Sequence, residues 1–213
     1  MNSYIVINEV SKKFKNDLIL RDVSLKMEKG KIYGFVGKNG SGKTVLFKLI
    51  AGILKPDKGE IIVEGKKLGK DIDFPESMGI MIETPGFLKQ HSAYKNLEYL
   101  SKIKNIISKE EVKKAIEILG LDANDKKRVG KYSLGMKQRL GIAQAIMEKP
   151  ELLILDEPMN SLDEEGIIIV RNIIKEMREK GTCILISSHY KEDIDILCDV
   201  VYEVKKGMLK KIR

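Results

Sequence analysis

The sequence predicts an α/β fold in which a strand–helix core carries an N-terminal antiparallel β subdomain and an inserted α-helical subdomain. Three observations carry that expectation. A compact apolar strand at residues 32–36 runs into a glycine-rich turn, Gly37 to Gly42, and then into a helix. Apolar residues recur at helical spacing through residues 93–147. From Leu152 onward, strand and helix patterns alternate again.

In chain order, alternating apolar residues over 4–10 and at Val23, Leu25 and Met27 predict half-buried antiparallel strands. Residues 44–51 predict a helix with Leu46, Leu49 and Ile50 on one side. Residues 59–63 and 78–82 predict further strands, with turns at Pro56, Asp57 and Pro75. Three helical stripes follow: Ala93, Leu97 and Leu100; Val112, Ala115, Ile116 and Leu119; Met136, Leu140, Ala143 and Met147. Ser108 and Glu111 form a capping box that opens the second of these helices. A strand at 152–156, a helix at 164–180, a strand at 182–187, a helix at 190–197 and short strands at 200–204 and 209–212 complete the order. The chain, 1–213, is expected to form one domain. Residues 1–90 and 149–213 make the core with its β subdomain, and residues 91–148 make the helical insertion.

Charged residues make up 33% of the chain, above the usual figure of about 25%, and most of the excess is lysine. A net charge of +8 permits a nucleic-acid or anionic membrane partner, but lysines spread along the chain usually decorate a solvated face. The densest basic run, Lys205 to Lys211, is short, and no nucleic-acid partner is expected. Apolar stretches fall far below the roughly 18–20 residues needed to cross a bilayer. The opening Met1 to Ile7 has no basic segment, no sustained apolar run and no small-residue cleavage site, so a cytoplasmic chain is expected. Cys183 and Cys198 form no C-x-x-C and no metal-like group with His91 or His189, which predicts buried, reduced thiols.

The chemistry is concentrated in two segments. Gly37-Lys38-Asn39-Gly40-Ser41-Gly42-Lys43-Thr44 fits G-x-x-x-x-G-K-[ST] between a strand and a helix. Its glycines let backbone N–H groups point inward around phosphate oxygens, and the helix N-terminus adds its dipole. Lys43 then neutralises the β- and γ-phosphates, and Thr44 offers a hydroxyl to Mg²⁺. The second segment, Leu152-Leu153-Ile154-Leu155-Asp156-Glu157, is a buried strand ending in two carboxylates. Asp156 can face the same Mg²⁺, and Glu157 can polarise an attacking water. Each segment alone is a common junction; together they supply both halves of a metal–phosphate site.

Three further segments carry a family resemblance. Tyr132-Ser133-Leu134-Gly135-Met136-Lys137-Gln138-Arg139 resembles the signature segment of ATP-binding cassette ATPases. Leu155-Asp156-Glu157-Pro158-Met159-Asn160-Ser161-Leu162-Asp163 resembles that family's second nucleotide motif and its D-loop. His189 stands where the family carries its switch histidine. The match covers essentially the whole chain and is similar in particular to bacterial exporters of bacitracin, lantibiotics and other antimicrobial compounds. In that branch, Ile82-Glu83-Thr84-Pro85-Gly86-Phe87 and Ala93-Tyr94-Lys95-Asn96-Leu97 resemble the link to the helical subdomain. The chain departs from the family pattern at Glu83, usually glutamine, at Leu134, usually glycine, and at Met136, usually glutamine. Met159 and Ser161 also replace the commoner threonine and glycine.

The resemblance implies a P-loop NTPase (RecA-like) core and an ATP-hydrolysing subunit that uses ATP and Mg²⁺ to power a membrane transporter. Its partners would be a transmembrane permease and a second nucleotide-binding domain, identical or not, placing it peripherally on the inner face of the cell membrane. ATP would be sandwiched head to tail between one chain's Gly37–Thr44 loop and the other's Ser133 and Gly135. His189 would contact the γ-phosphate and Glu83 would join the metal site. Phe14 would stack on adenine, with Tyr4 as a second candidate. The competing expectation is a cassette ATPase acting on DNA or the ribosome. DNA-repair members insert long coiled coils between the two motifs, and ribosomal factors carry two cassettes per chain; this sequence has neither feature.

Overall fold

The computed structural model describes residues 3–15, 17–83 and 86–213. Thr84 and Pro85, part of the segment read above as a family link, lie outside the described residues. Two sheets organise the described chain. β1 (Ile5–Phe14), β2 (Asp17–Met27), β4 (Lys58–Val63) and β5 (Lys66–Lys67) form an antiparallel sheet in the order β2-β1-β4-β5. β3 (Ile32–Val36), β6 (Met78–Met81), β7 (Leu152–Asp156), β8 (Cys183–Ser187), β9 (Val200–Lys205) and β10 (Met208–Lys211) form the second, ordered β10-β9-β3-β8-β7-β6. That sheet is parallel except for its β9–β10 hairpin. The two N-terminal strands run several residues beyond the span that their alternation predicted, and bulges in β1 are the reason. Register shifts break the two-residue period after Ile7, so the pattern fades while the pairing continues.

Alternation explains why the central strands read as continuous apolar runs. Leu153, Leu155, Ile184 and Ile186 face one core, shared with the helices, while Leu152, Ile154, Cys183 and Leu185 face the other, shared with the antiparallel sheet. A parallel sheet covered on both faces leaves no polar side to its strands. On the antiparallel-sheet side, Phe35 of β3 meets Phe47 edge-on at 5.3 Å and stacks with Tyr202 at 5.7 Å. This packing anchors α1 (Lys43–Ile50) directly beneath the glycine loop. Cys183 and Cys198 are free and buried, and burial pushes both thiols up to about 12.

The insertion consists of α2 (Ala93–Lys104), α3 (Lys109–Glu117) and α4 (Leu134–Ile146), followed beyond β7 by α5 (Glu164–Glu179) and α6 (Lys191–Leu197). Ser92 caps α2 and Ser108 forms the expected capping box with Glu111 on α3. α4 joins the insertion to the sheet through a close approach. A β-carbon on Gly79 of β6 would fall 1.8 Å from the Ala145 carbonyl oxygen, so only glycine permits this contact. β6, packed on α4, leads within two residues to Glu83, ahead of the insertion in the chain.

Candidate functional site

The glycine loop closes around its own lysine. Lys43 is buried, and its Nζ donates to the carbonyls of Gly37 at 2.7 Å and Lys38 at 3.4 Å. That places a cation at the centre of the loop, next to the N-terminus of α1. Ser41 Oγ is buried with no hydrogen-bond partner, which is costly for a hydroxyl unless a ligand oxygen supplies one. Asn39, Gly40, Ser41, Gly42, Lys43 and Thr44 line a cleft of about 410 Å³ together with Asp156, Glu157 and Phe14.

At the floor of the cleft, Thr44 Oγ1 donates to Asp156 Oδ2 at 2.6 Å, and Ser187 Oγ donates to Asp156 Oδ1 at 2.5 Å. The Glu157 backbone N–H is held by Ser187 Oγ at 2.9 Å and by the Ser187 carbonyl at 3.2 Å. Glu157 has φ 53°, a left-handed conformation that costs a non-glycine residue on the order of 1–2 kcal/mol. Its carboxylate Oε2 lies 2.9 Å from His189 Nδ1 and accepts the His189 N–H at 3.3 Å. With Nδ1 facing a carboxylate, Nε2 is the ring nitrogen left for another ligand.

The signature segment touches the same peptide from the opposite side. Gln138 Nε2 donates to the carbonyls of Glu157 at 3.1 Å and Pro158 at 3.0 Å. Ser133 caps α4, its Oγ accepting the Met136 N–H at 3.1 Å. A β-carbon on Gly135 would lie 2.7 Å from the Ser161 carbonyl oxygen, so glycine here lets the α4 N-terminus approach the segment after Glu157. Neither Ser133 nor Gly135 lines the glycine-loop cleft. Leu134, at the signature position usually held by glycine, is 68% exposed.

Glu83, Leu134, Gln138, Asp156, Glu157 and Ser161 share a second cleft of about 350 Å³, so Glu83 and the two carboxylates open onto common space. In this structure the Glu83 carboxylate pairs with Lys48 Nζ of α1 at 2.7 Å. Ile82, Gly86, Phe87 and Leu88, near Glu83 in sequence, help line an apolar groove of about 510 Å³ with Ile53, Tyr99 and Leu100. A wider cavity of about 800 Å³ lies elsewhere, among α3, α4 and α5; lysines and glutamates rim its aliphatic residues, and none of the glycine-loop residues lines it.

Phe14 ends β1 rather than standing between strands, and it is 44% exposed at the glycine-loop cleft, so it is not a core aromatic. Tyr4 is corrected as an alternative: it is buried at the opposite end of β1, with Lys29 Nζ 4.7 Å from its ring centre. Sequence reading passed over Ser187, Gln138 and Lys48. Ser187 announced itself only as a hydroxyl two residues before His189, and Gln138 sat inside a quoted segment without a role.

A site of this build is matched by known proteins. The sequence model of the ABC transporter family matches residues 20–160. The chain belongs to the ABC transporter family. It is an ATP-binding subunit of that family and an ATP hydrolase that powers a membrane transporter. An uncharacterized ABC transporter ATP-binding protein, YybJ of Bacillus subtilis, is 46% identical over 97% of this chain and 94% of its own length. The bacitracin transport ATP-binding protein BcrA of Enterococcus faecalis is 41% identical over 97% of this chain and 68% of its own. The lantibiotic transport ATP-binding protein SrtF of Streptococcus pyogenes is 36% identical over 95% of this chain and 87% of its own. A solved ATP-binding subunit of an ABC transporter superposes with a TM-score of 0.87 at 25% identity, covering 98% of this cassette and 88% of that chain. A dimeric bacterial cassette superposes equally well at 20% identity, a likeness of fold.

Proposed function

We propose that the cassette drives export of an antimicrobial peptide or similar compound, working as a head-to-tail dimer that sandwiches ATP beneath a transmembrane permease. The observation that carries the reading is the continuous chain Thr44–Asp156–Ser187–Glu157–His189 beside the glycine loop. The likeness to BcrA and SrtF supports the class of compound.

In this reading the loop from Gly37 to Thr44 wraps the phosphates, Lys43 releases its two carbonyls to neutralise the β- and γ-phosphates, and Ser41 Oγ gains its partner. Thr44, Asp156 and Glu83 would hold Mg²⁺, and their hard oxygens fit an ion that takes one or two carboxylates and completes its shell with phosphate and water. Mg²⁺ supplies neutralisation of charge on the transferred phosphoryl group. No group of three histidine, cysteine or carboxylate side chains clusters among the described residues. Glu157, aimed by Ser187 and His189, accepts a proton from the attacking water. His189 Nε2 contacts the γ-phosphate, and Phe14 covers adenine. The partner copy closes the site with Ser133 and Gly135 at the N-terminus of its α4.

The permease docks in the apolar groove beside Glu83, so the turn that senses γ-phosphate also borders the membrane partner. That partner holds the cassette on the inner face of the cell membrane; no described helix is long and apolar enough to cross it.

The test separates binding from turnover. Glu157→Gln is expected to bind ATP as wild type does while losing Mg²⁺-dependent hydrolysis, because the amide keeps the shape and cannot act as a base. Lys43→Ala is expected to weaken ATP binding itself. Wild-type turnover by Glu157→Gln would take that carboxylate out of the reaction.

A further inference from the structure

His189 is also fastened by residues that do not line the glycine-loop cleft. β8 ends at Ser187, whose hydroxyl and carbonyl are already committed to Asp156 and Glu157. The next residue, Ser188, is 3% exposed. Its hydroxyl accepts the Tyr190 N–H at 3.0 Å and donates to Asp193 Oδ2 at 3.2 Å. A hydroxyl that binds the N–H two residues ahead closes a turn, and the residue spanned by this turn is His189.

Asp193 is 2% exposed, in the first turn of α6. Its second oxygen, Oδ1, accepts from Arg171 Nε at 3.0 Å and from Arg171 Nη2 at 2.7 Å. Arg171 belongs to α5 and gives Nη1 to Glu192 Oε1 at 3.0 Å. Both Asp193 oxygens are therefore bound, as a buried carboxylate requires. An ion pair of this kind adds little net stability over well-packed apolar residues, so its value lies in orientation. The planar guanidinium fork fixes the carboxylate plane in a way that a flexible lysine does not. The carboxylate in turn fixes the Ser188 hydroxyl. α5 thereby reaches the imidazole without touching it.

We propose that Arg171, Asp193 and Ser188 form a positioning relay that holds the His189 ring against Glu157. The inference rests on the reading of His189 as a γ-phosphate contact. These three residues make and break no bond; they set where the ring sits. α5 is capped by Asp163, two residues after Ser161, so the helix that supplies Arg171 begins at the segment packed on Gly135. One helix thus links the signature contact to Asp193, the carboxylate that holds the Ser188 hydroxyl.

The experiment uses the full-length cassette with Ser188→Ala, Asp193→Asn and His189→Ala, singly and with each relay change combined with His189→Ala. Turnover, ATP affinity, thermal midpoint and the His189 ring resonances are measured on each. The ring signal is assigned by its loss in His189→Ala. For Ser188→Ala and Asp193→Asn the expected result is a kcat about ten- to a hundredfold lower, with ATP affinity retained and the ring signal displaced or broadened. Asp193→Glu should recover part of the rate. In the His189→Ala background the relay substitutions should cost nothing further, because their effect passes through the missing ring. Ser188→Ala leaves the Arg171–Asp193 pair intact and carries the test if Asp193→Asn fails to fold. Unchanged kcat and ring signal in Ser188→Ala, beside an impaired His189→Ala, would overturn the relay. So would losses that remain additive in the His189→Ala background. Full turnover by His189→Ala would instead remove the γ-phosphate role of the histidine, and the relay would then stand or fall on the ring signal alone.

Discussion

Phe14 and Glu83 are the residues whose surroundings say most about what they contact. Phe14 offers a half-open ring at the mouth of the glycine-loop cleft, with Lys12 Nζ 5.6 Å from its centre. A base laid on that ring gains stacking, so Phe14→Ala is expected to weaken ATP binding by about 1–3 kcal/mol. Stacking reads a π-face and no base edge, and GTP should therefore lose a similar amount. Equal nucleotide affinity in wild type and Phe14→Ala, measured by calorimetry, would leave the ring without a ligand role. Glu83 behaves differently. Its partner here is Lys48, in an exposed pair of the kind that adds only about 0–1 kcal/mol, so the carboxylate is free to exchange to a metal–phosphate partner. Glu83→Ala should leave ATP binding nearly intact while cutting permease-stimulated hydrolysis and transport in reconstituted membranes. Glu83→Gln should restore most of both, because an amide oxygen still ligates Mg²⁺. Full stimulation in Glu83→Ala would reduce the turn to a connector.

At the level of helices and strands, the clearest local device is the start of α3. The Ser108 hydroxyl accepts the Glu111 N–H at 3.2 Å, and the Glu111 carboxylate accepts the Ser108 N–H at 3.0 Å and pairs with Lys149 beyond α4. Ser108→Ala should cost about 1 kcal/mol by urea denaturation. The Lys149 ammonium, with the Ser108 N–H, lowers the Glu111 carboxyl from 4.5 to about 2. A lowered native pKa means that this contribution is present above about pH 4.5 and lost as pH falls toward 2. The penalty of Lys149→Ala, which removes the paired ammonium, should accordingly shrink across that window. This box was legible in four residues of sequence because both partners lie within one turn. β3, β7 and the glycine loop were legible for the same reason, since an apolar run and its turn are contiguous. Phe14, by contrast, sat in a strand whose alternation is interrupted by bulges, and its exposure depends on where β1 ends. Lys48 meets Glu83 across 35 residues, and Arg171 meets Asp193 across 22, distances at which no local pattern announces a pair. The motifs named the groups that touch phosphate; the tertiary fold alone names those that hold them.

For the whole molecule the decisive property is that the two halves of the proposed phosphate site do not line one cleft. Lys43 and Thr44 line the glycine-loop cleft, whereas Ser133 and Gly135 do not, and α4 offers its capped N-terminus elsewhere. The proposed head-to-tail pair would bring the Lys43 loop of one copy and the Ser133 segment of the other onto a single γ-phosphate. Each copy carries a net charge of +8, so two copies repel at long range, most strongly at low ionic strength. In the proposed dimer, two ATP molecules would bring the negative charge that joins each Lys43 loop to the opposite Ser133 segment. The exposed Leu134 beside that segment adds apolar area that is worth burying only when the faces meet. Glu157→Gln, which is expected to bind without hydrolysing, should consequently be a monomer alone and a dimer with ATP by light scattering. Adding Lys43→Ala should return it to a monomer at the same ATP concentration by removing nucleotide. Adding Ser133→Ala should do so while each copy still binds ATP, because that change removes only the contact made across the interface. A dimer that persists without nucleotide, or one indifferent to Ser133→Ala, would mean that the copies join through some other surface and that the ATP site closes within one chain.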